Sequence, residues 1–481
     1  YAYPESARLV AYTTDRVYVK NTPDSGWAAT WGGPSDDVAE AVAVDKLGNV
    51  YTTGDFYGSV DFDPGPGIDE HSSNGGYSYA RNAFLSKFDS EGNYQWAVTW
   101  GGVDVNRSHG VAVDGSGNIY VAGEFYSKVD FDPGPGEDAR TPVGYADAFL
   151  CKFAPDGTLI RALTWGGQNA YCLAYGVDIS LWGDVCVAGW CEYTVDFDPG
   201  PGEEYAGGSA NYAFLSRFDS SGNFRWVRTW GGTGVTSGCG VSCDDSGFSY
   251  VTGYFEGTCD FDPGDGIDTR SSFYAYTTDV FVSRFDSSGF FSWARTLGGS
   301  RDDCGYAVAA DPAGDAYVTG HYSGNVDSAF AGKIDHSGHL KWLRTWGDGS
   351  GSYYYYNVGR GIVVGLADDV YVTGRFDGTV DLDPSDSQDI HSSTSTQDTF
   401  LSKFGLDGDF MWALTLCGNG WSSDYEDGGG RGLALGSTGA VFVAGAFTGT
   451  ADFNPGIMSD IHDSNGSLDA YLTKVLPNGM W

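Results

Sequence analysis

An all-β ring of seven four-stranded antiparallel blades is the fold this sequence predicts, and three observations predict it. A refrain of the form WAVTWGG (96–102) has equivalents ending at Trp31, Trp100, Trp165, Trp230, Leu297, Trp346, Leu416 and Trp481, which divides the chain into six intervals of 65 to 70 residues and one of 49. Each interval holds four short runs rich in β-branched and aromatic residues, separated by Gly, Asp and Asn turns. None shows sustained helical periodicity. Four antiparallel strands per unit, repeated around a ring, make a β-propeller, whose radial closure leaves only short protected edges.

The second unit shows the strands, named A to D from the axis outward. They are VAVD (111–114), NIYVAGEF (118–125), AFLCKF (148–153) and IRALTW (160–165). GSGN joins the first two and APDGT the last two, both short turns suited to hairpins. A D-type strand, WAATW (27–31), lies near the N terminus, whereas the last A, B and C strands lie near the C terminus, so closure is expected to pair 27–31 with AYLTKV (470–475). The domain plan is an extension over 1–24 and one propeller over 25–481, whose fifth blade (about 304–347) lacks a long B–C insert.

Residues 11–20, AYTTDRVYVK, resemble AYTTDVFVSR at 275–284 and so supply a surplus C-like strand. Three arrangements are open: a fifth strand on its own blade, an irregular surface path, or pairing with the strand edge of another copy. In the last, Arg16, Val17, Tyr18, Val19 and Lys20 would form an assembly arm. Edge strands offer unpaired backbone groups, and a head-to-tail contact that does not close makes a fibre.

GVAVDGSGNIYVAGEF followed by DAFLCKF and WGG resembles the SBBP repeat, a bacterial family named for its seven-bladed β-propeller. The resemblance covers nearly the whole chain. It implies a propeller fold and a secreted or surface location, and it carries no catalytic motif.

The net charge of -38 disfavours nucleic acid and anionic membranes as partners, since both need a basic face. Only eleven of the 64 acidic residues are Glu, and the Asp residues gather in Gly-rich turns, as local hydrogen bonding or metal ligation would require. No stretch approaches the roughly 20 apolar residues of a membrane helix. The chain opens at Tyr1 without a leader pattern, and any secretory signal is expected to have been removed. Nine Cys, none in a CxxC pair, leave a choice between disulfides and buried thiols; a few disulfides outside the cytoplasm are expected.

An acidic elbow recurs six times: VDFDPGPG at 60, 129 and 195, CDFDPGDG at 259, VDLDPSDS at 380 and ADFNPGIM at 451. Strand connectivity sends all six inserts to one face. Their oxygen-bearing residues, Asp61, Asp63, Asp69, Asp130, Asp132, Asp196, Asp198, Asp260, Asp262, Asp381, Asp383, Asp452 and Asn454, are candidate Ca²⁺ ligands, because Ca²⁺ takes six to eight hard oxygens. The alternative is an Asx-type turn in which the second Asp caps backbone amides. Strand C repeats a cation at Lys87, Lys152, Arg217, Arg284, Lys333, Lys403 and Lys474, and each needs a counter-charge. The first Asp of the elbow, which persists as Asp327 where the insert is missing, is the expected ion-pair partner.

His71, His391 and His462 recur in D-x-H in separate blades, so they cannot share one zinc and are expected to be strand-paired polar groups. Tyr353, Tyr354, Tyr355 and Tyr356, beside the notch left by the missing insert, could contact a glycan or serve as packing. Asn106 and Asn465 match glycosylation sequons. The Trp pairs, such as Trp96 with Trp100, are expected to pack between blades. The function expected is that of a non-enzymatic extracellular structural protein, calcium-stabilised and self-assembling, with itself or a cell-surface polymer as partner. A glycan-binding propeller is the alternative, followed by a polysaccharide hydrolase or lyase.

Overall fold

The computed structural model describes residues 25–74, 80–208, 211–323, 327–347, 357–365, 369–394, 397–418, 428–454, 456 and 458–481. Among them there is no helix, and seven antiparallel sheets of four blade strands each surround an axis. Strands A to D are Asp37–Val44, Val50–Phe56, Asn82–Phe88 and Tyr94–Trp100 in blade 1, and Asn106–Val113, Ile119–Phe125, Asp147–Phe153 and Leu159–Trp165 in blade 2. Blades 3 to 6 begin with A strands Cys172–Ile179, Thr236–Cys243, Cys304–Ala310 and Val358–Val364. Blade 7 contributes Gly429–Leu435, Val441–Phe447 and Asp469–Val475.

Its fourth strand is Trp27–Trp31, in register from Trp27 opposite Lys474 to Trp31 opposite Ala470. This is the closure expected from the repeat phase. The proposed assembly arm, Arg16 to Lys20, lies outside the described residues, as do Tyr353 to Tyr356.

Closure works because each blade is buried on both faces at its centre. The B strands Val50–Phe56, Ile119–Phe125 and Val441–Phe447 are buried at every position. Between blades, the last Trp of each refrain enters a pair of Phe rings on strand C of the next blade. Trp31 meets Phe84 and Phe88 at 6.2 and 5.4 Å, and Trp100 meets Phe149 and Phe153 at 6.2 and 5.3 Å. Trp165, Trp230 and Trp346 repeat the contact. Tilted and edge-on aromatic pairs of this kind add to the stability given by area burial alone. The Trp pairs are thus inter-blade packing, as expected.

The insert is a short hairpin, Ser59–Asp61 against Glu70–Ser72 in blade 1, and it joins blades as well. Its outgoing arm pairs with the end of the preceding blade's D strand, as Gly231 with Asp260 and Gly166 with Asp196. Cβ atoms at Gly102, Gly167 and Gly232, each the last residue of a WGG-type link, would stand 2.4, 2.2 and 1.8 Å from carbonyl oxygens of the hairpin. Only glycine admits that approach, which explains the second Gly of the refrain. Among the described residues one disulfide joins cross-strand neighbours Cys172 and Cys191 in blade 3; Cys151, Cys186, Cys239, Cys243, Cys259 and Cys304 are free.

Candidate functional site

The acidic elbow resolves into two turns and an anchor. Phe62, Phe131, Phe197, Phe261, Leu382 and Phe453, between the two acidic positions, are all buried. Asp61 Oδ1 accepts the amides of Asp63 and Asp69 at 3.2 and 2.9 Å, and Asp63 Oδ1 accepts Gly65 N–H at 2.7 Å. Asp130, Asp196, Asp260, Asp381 and Asp452 repeat the first pattern. Asp132, Asp198, Asp262 and Asp383 repeat the second.

Asn454 accepts Gly456 N–H at 2.8 Å just as the aspartates do, so the turn needs an acceptor oxygen and not a charge. The loop glycines make room for the carboxylate itself, since a Cβ at Gly67 would lie 2.0 Å from Asp63 Oδ2. Asp69 instead accepts the Tyr94 hydroxyl. Among the described residues no group of three or more His, Cys, Asp and Glu is disposed to hold a metal ion.

The strand C cations do not meet the elbow. Each stands one or two residues from the last of its strand, at the end remote from the inserts, and strand direction brings it to the A–B turn and to the neighbouring blade. Arg217 pairs with Asp184 at 3.1 Å, Arg284 with Asp244 at 3.6 Å, Lys333 with Asp315 at 3.0 Å and Lys403 with Asp369 at 2.6 Å, while Lys152 stands 4.0 Å from Asp114. Lys87, Lys152 and Lys474 donate to the carbonyls of Pro155, Ser220 and Ser90 in the next blade of the ring. The expected pairing with Asp61 and its equivalents is therefore not formed: five of these cations face an aspartate at the A–B turn instead, and the carbonyl contacts tie blade to blade.

His71, His391 and His462 bond Thr99, Thr415 and Thr30 on the D strands and Asp69, Asp389 and Asp460 beside them. They are hairpin-to-blade struts, as expected of strand-paired groups. Asn106 is buried and donates to the carbonyls of Arg81 and Asp104, so its sequon is closed to a glycan.

The residues that break the sevenfold pattern are elsewhere, on the axis. Every A strand carries a bulge: the register against strand B skips one residue between Ala39 and Ala41, Ser108 and Gly110, Ala174 and Gly176, Gly238 and Gly240, Gly305 and Ala307, Gly359 and Gly361, and Gly430 and Gly432. The skipped residues are Glu40, His109, Tyr175, Cys239, Tyr306, Arg360 and Arg431, one per blade, each half-buried. A bulge leaves one residue unpaired and re-aims its side chain. Small residues follow the bulge because adjacent A strands nearly touch. A Cβ at Gly240 would lie 2.8 Å from Tyr306 O, one at Gly361 2.9 Å from Leu433 Cβ, and one at Gly432 2.8 Å from Ala41 Cα. Seven side chains of five kinds thus converge at the centre of the ring.

Their charges are partly matched. Arg431 Nη1 donates to both Glu40 oxygens at 2.7 and 2.9 Å, and His109 Nε2 stands 2.6 Å from Glu124 Oε2. Burial alone would raise the Glu40 carboxyl, but Arg431, with His109 and Arg360, holds it below its ordinary value. Burial would likewise lower His109, but Glu124 and then Glu40 outweigh it and hold the imidazole above its ordinary value. Tyr175 accepts a hydrogen bond from Trp190 Nε1 at 3.3 Å and meets the His109 ring edge-on at 4.9 Å. Burial pushes the Cys239 and Cys304 thiols up to about 12, so this arc of the ring is neutral.

The His109 pair sets a pH dependence. A histidine whose folded value is raised contributes stability that is fully present below its unfolded value, about 6.5, and is lost as pH rises through the folded value. The unfolding free energy of the parent minus that of His109→Gln is therefore expected to shrink as pH rises above about 6.5. A difference that is flat with pH in urea titrations would exclude a charged His109.

No family model matches the chain. It is 24% identical over 266 residues to the uncharacterized WD repeat-containing protein L264 of Acanthamoeba polyphaga mimivirus, a match covering 48% of this chain and 19% of that protein. It is 35% identical over 80 residues to the regulatory protein FlaEY of Caulobacter vibrioides, covering 17% of this chain and 8% of that one. The matched segments therefore span under a fifth of each relative's length. Solved structures of proteins of unknown function from Bacteroides caccae and Dyadobacter fermentans align at TM-scores of 0.36 and 0.40 with 9% and 11% identity. These alignments cover 69% and 77% of this chain and 89% and 95% of those proteins. The chain is a seven-bladed β-propeller with a distant WD-repeat relative.

Proposed function

We propose that the chain is a non-enzymatic structural propeller acting outside the cell as a rigid unit of a fibre or surface layer, and that its repeats are of the SBBP kind. One observation carries the reading: the polar groups that recur from blade to blade are engaged in holding the ring together. Elbow aspartates shape the hairpins, strand C cations bridge blades, and the hairpin histidines strut the outer strands. The chain is built as a stiff body with two crowded faces.

Residues 1–24 are the assembly arm in this reading, and Ca²⁺ is a counter-ion for the acidic insert face, where a net charge of -38 favours cations. Light scattering and electron microscopy of the protein at neutral pH are expected to show particles far larger than one chain. Deleting residues 1–24 is expected to return a monomer. A chelator is expected to lower the melting midpoint, with recovery on adding Ca²⁺ but not on matching the ionic strength, because a ligand bound only by the folded state stabilises it by mass action. A monodisperse monomer unaffected by the deletion would end the assembly reading. Indifference to chelation would leave the elbows as hydrogen-bonded turns alone.

A further inference from the structure

We infer that the axial mouth of the ring binds a small organic carboxylate, with Arg360 receiving the carboxylate and Tyr306 and Tyr175 flanking the organic body. The inference is independent of the assembly reading, because it uses the bulge residues and none of the elbow aspartates, strand C cations or hairpin histidines.

Three cations point to the axis from the bulges, and two of them have an acid beside them. Glu40 is engaged by Arg431 through both oxygens, and Glu124 is engaged by His109. Arg360 makes no ion pair among the described residues; its guanidinium lies 4.1 Å from the centre of the Tyr306 ring. Stacking on an aromatic face fixes the plane of a guanidinium while leaving its N–H edge free, which is the geometry that receives a carboxylate through two parallel hydrogen bonds.

The fold does not require an arginine there. Residues on either side of each bulge are small because backbones approach, but the bulge residue itself is Glu, His, Tyr, Cys, Tyr, Arg or Arg in otherwise similar repeats. Packing that is satisfied by five kinds of side chain does not select one of them. A mutual-satisfaction account explains Glu40 with Arg431 and His109 with Glu124, and it leaves Arg360 out.

The neighbours set the class of ligand. Glu40 is close enough to Arg360 for each to feel the other's charge, so a dianion such as phosphate is repelled more strongly than a monoanion. From Tyr175 through Cys239 to Tyr306 the ring is neutral and largely aromatic, suited to the body of an organic acid. A carboxylate carried on an aromatic or sugar ring fits both halves.

Isothermal titration of the full chain with benzoate, galacturonate, acetate, inorganic phosphate and glucose tests this. One site per chain is expected for benzoate or galacturonate, at least about tenfold tighter than acetate, with phosphate and glucose failing to compete. The stronger of benzoate and galacturonate identifies the body as an aromatic or a sugar ring. Arg360→Gln is expected to weaken binding by about tenfold or more at an unchanged melting midpoint, and Arg360→Lys, which keeps the charge but not the fork, to recover part of it. Tyr306→Leu is expected to weaken it as well. No saturable binding of either ring acid, binding by Arg360→Gln equal to that of the parent, or phosphate binding as tightly as the ring acids would each overturn the inference.

Discussion

Trp31→Ala is expected to destabilise the protein by about 3–5 kcal/mol, the usual cost of emptying a buried tryptophan site. Trp31 is 2% exposed and sits on the strand that closes the ring, against Phe84 and Phe88 of blade 1. The same truncation at Trp100, which is 3% exposed and makes the same contacts one blade on, removes equal surface but touches no closure strand. Blade 7 is the only one completed by a strand from the other end of the chain, so a loosened seam there can open without breaking a covalent link between adjacent strands. The two variants are therefore expected to lose similar equilibrium stability in urea, with Trp31→Ala unfolding faster and being cleaved sooner by protease. Trp31→Leu should cost less, because Leu297 and Leu416 fill the equivalent sites of two other blades.

The second large effect is expected at Gly123. A Cβ there would lie 1.9 Å from Arg107 O and 2.7 Å from the Phe149 ring, both fixed by neighbouring strands. Strand B glycines 54, 189, 253, 320 and 374 face carbonyls at 1.8 to 1.9 Å in the same way, because the bulge in strand A pushes its backbone against strand B. Gly123→Ala is expected to cost about 3 kcal/mol or more, since overpacking against backbone cannot be relieved by a rotamer change. Gly115→Ala, whose nearest neighbour would be the flexible end of Lys46 at 3.3 Å, is expected to stay within about 0.5 kcal/mol of the parent. Urea midpoints of the two variants decide the matter, and a tolerated Gly123→Ala would mean that the bulge, and with it the axial ring, is misplaced.

What the sequence made legible was whatever seven repeats say in unison. The blade count, the closing strand and the Trp–Phe packing all follow from positions such as Trp100, Phe149 and Phe153 that hardly vary. The elbow was legible in outline, but D-x-D with glycines suits both a calcium cage and a pair of Asx turns. Asp61 Oδ1 and Asp63 Oδ1 both accept amide hydrogens, which shows the turns and leaves calcium to the chelation experiment. Lys333 was expected to pair with Asp327 because both recur, yet its place next to last in strand C puts it beside Asp315 at the opposite end of the blade.

The axial ring was hidden for the contrary reason. Glu40, His109, Tyr175, Cys239, Tyr306, Arg360 and Arg431 occupy one repeat position with unlike residues, and variation within a repeat reads as noise. The signal available was that a polar, variable residue stood between two small residues in a strand otherwise apolar: AEA, SHG, AYG, GCG, GYA, GRG and GRG. On a symmetric scaffold, individuality is the mark of a site.

Hydrogen exchange followed by mass spectrometry tests ring closure most directly. Amides of residues 27–31 are expected to be protected as strongly as those of 469–475, and both segments are expected to exchange together, at the rate of global unfolding, since the two strands share one ladder. Residues 27–31 exchanging at the rate of a free peptide while 469–475 stay protected would show an open ring, and would contradict the account at its base.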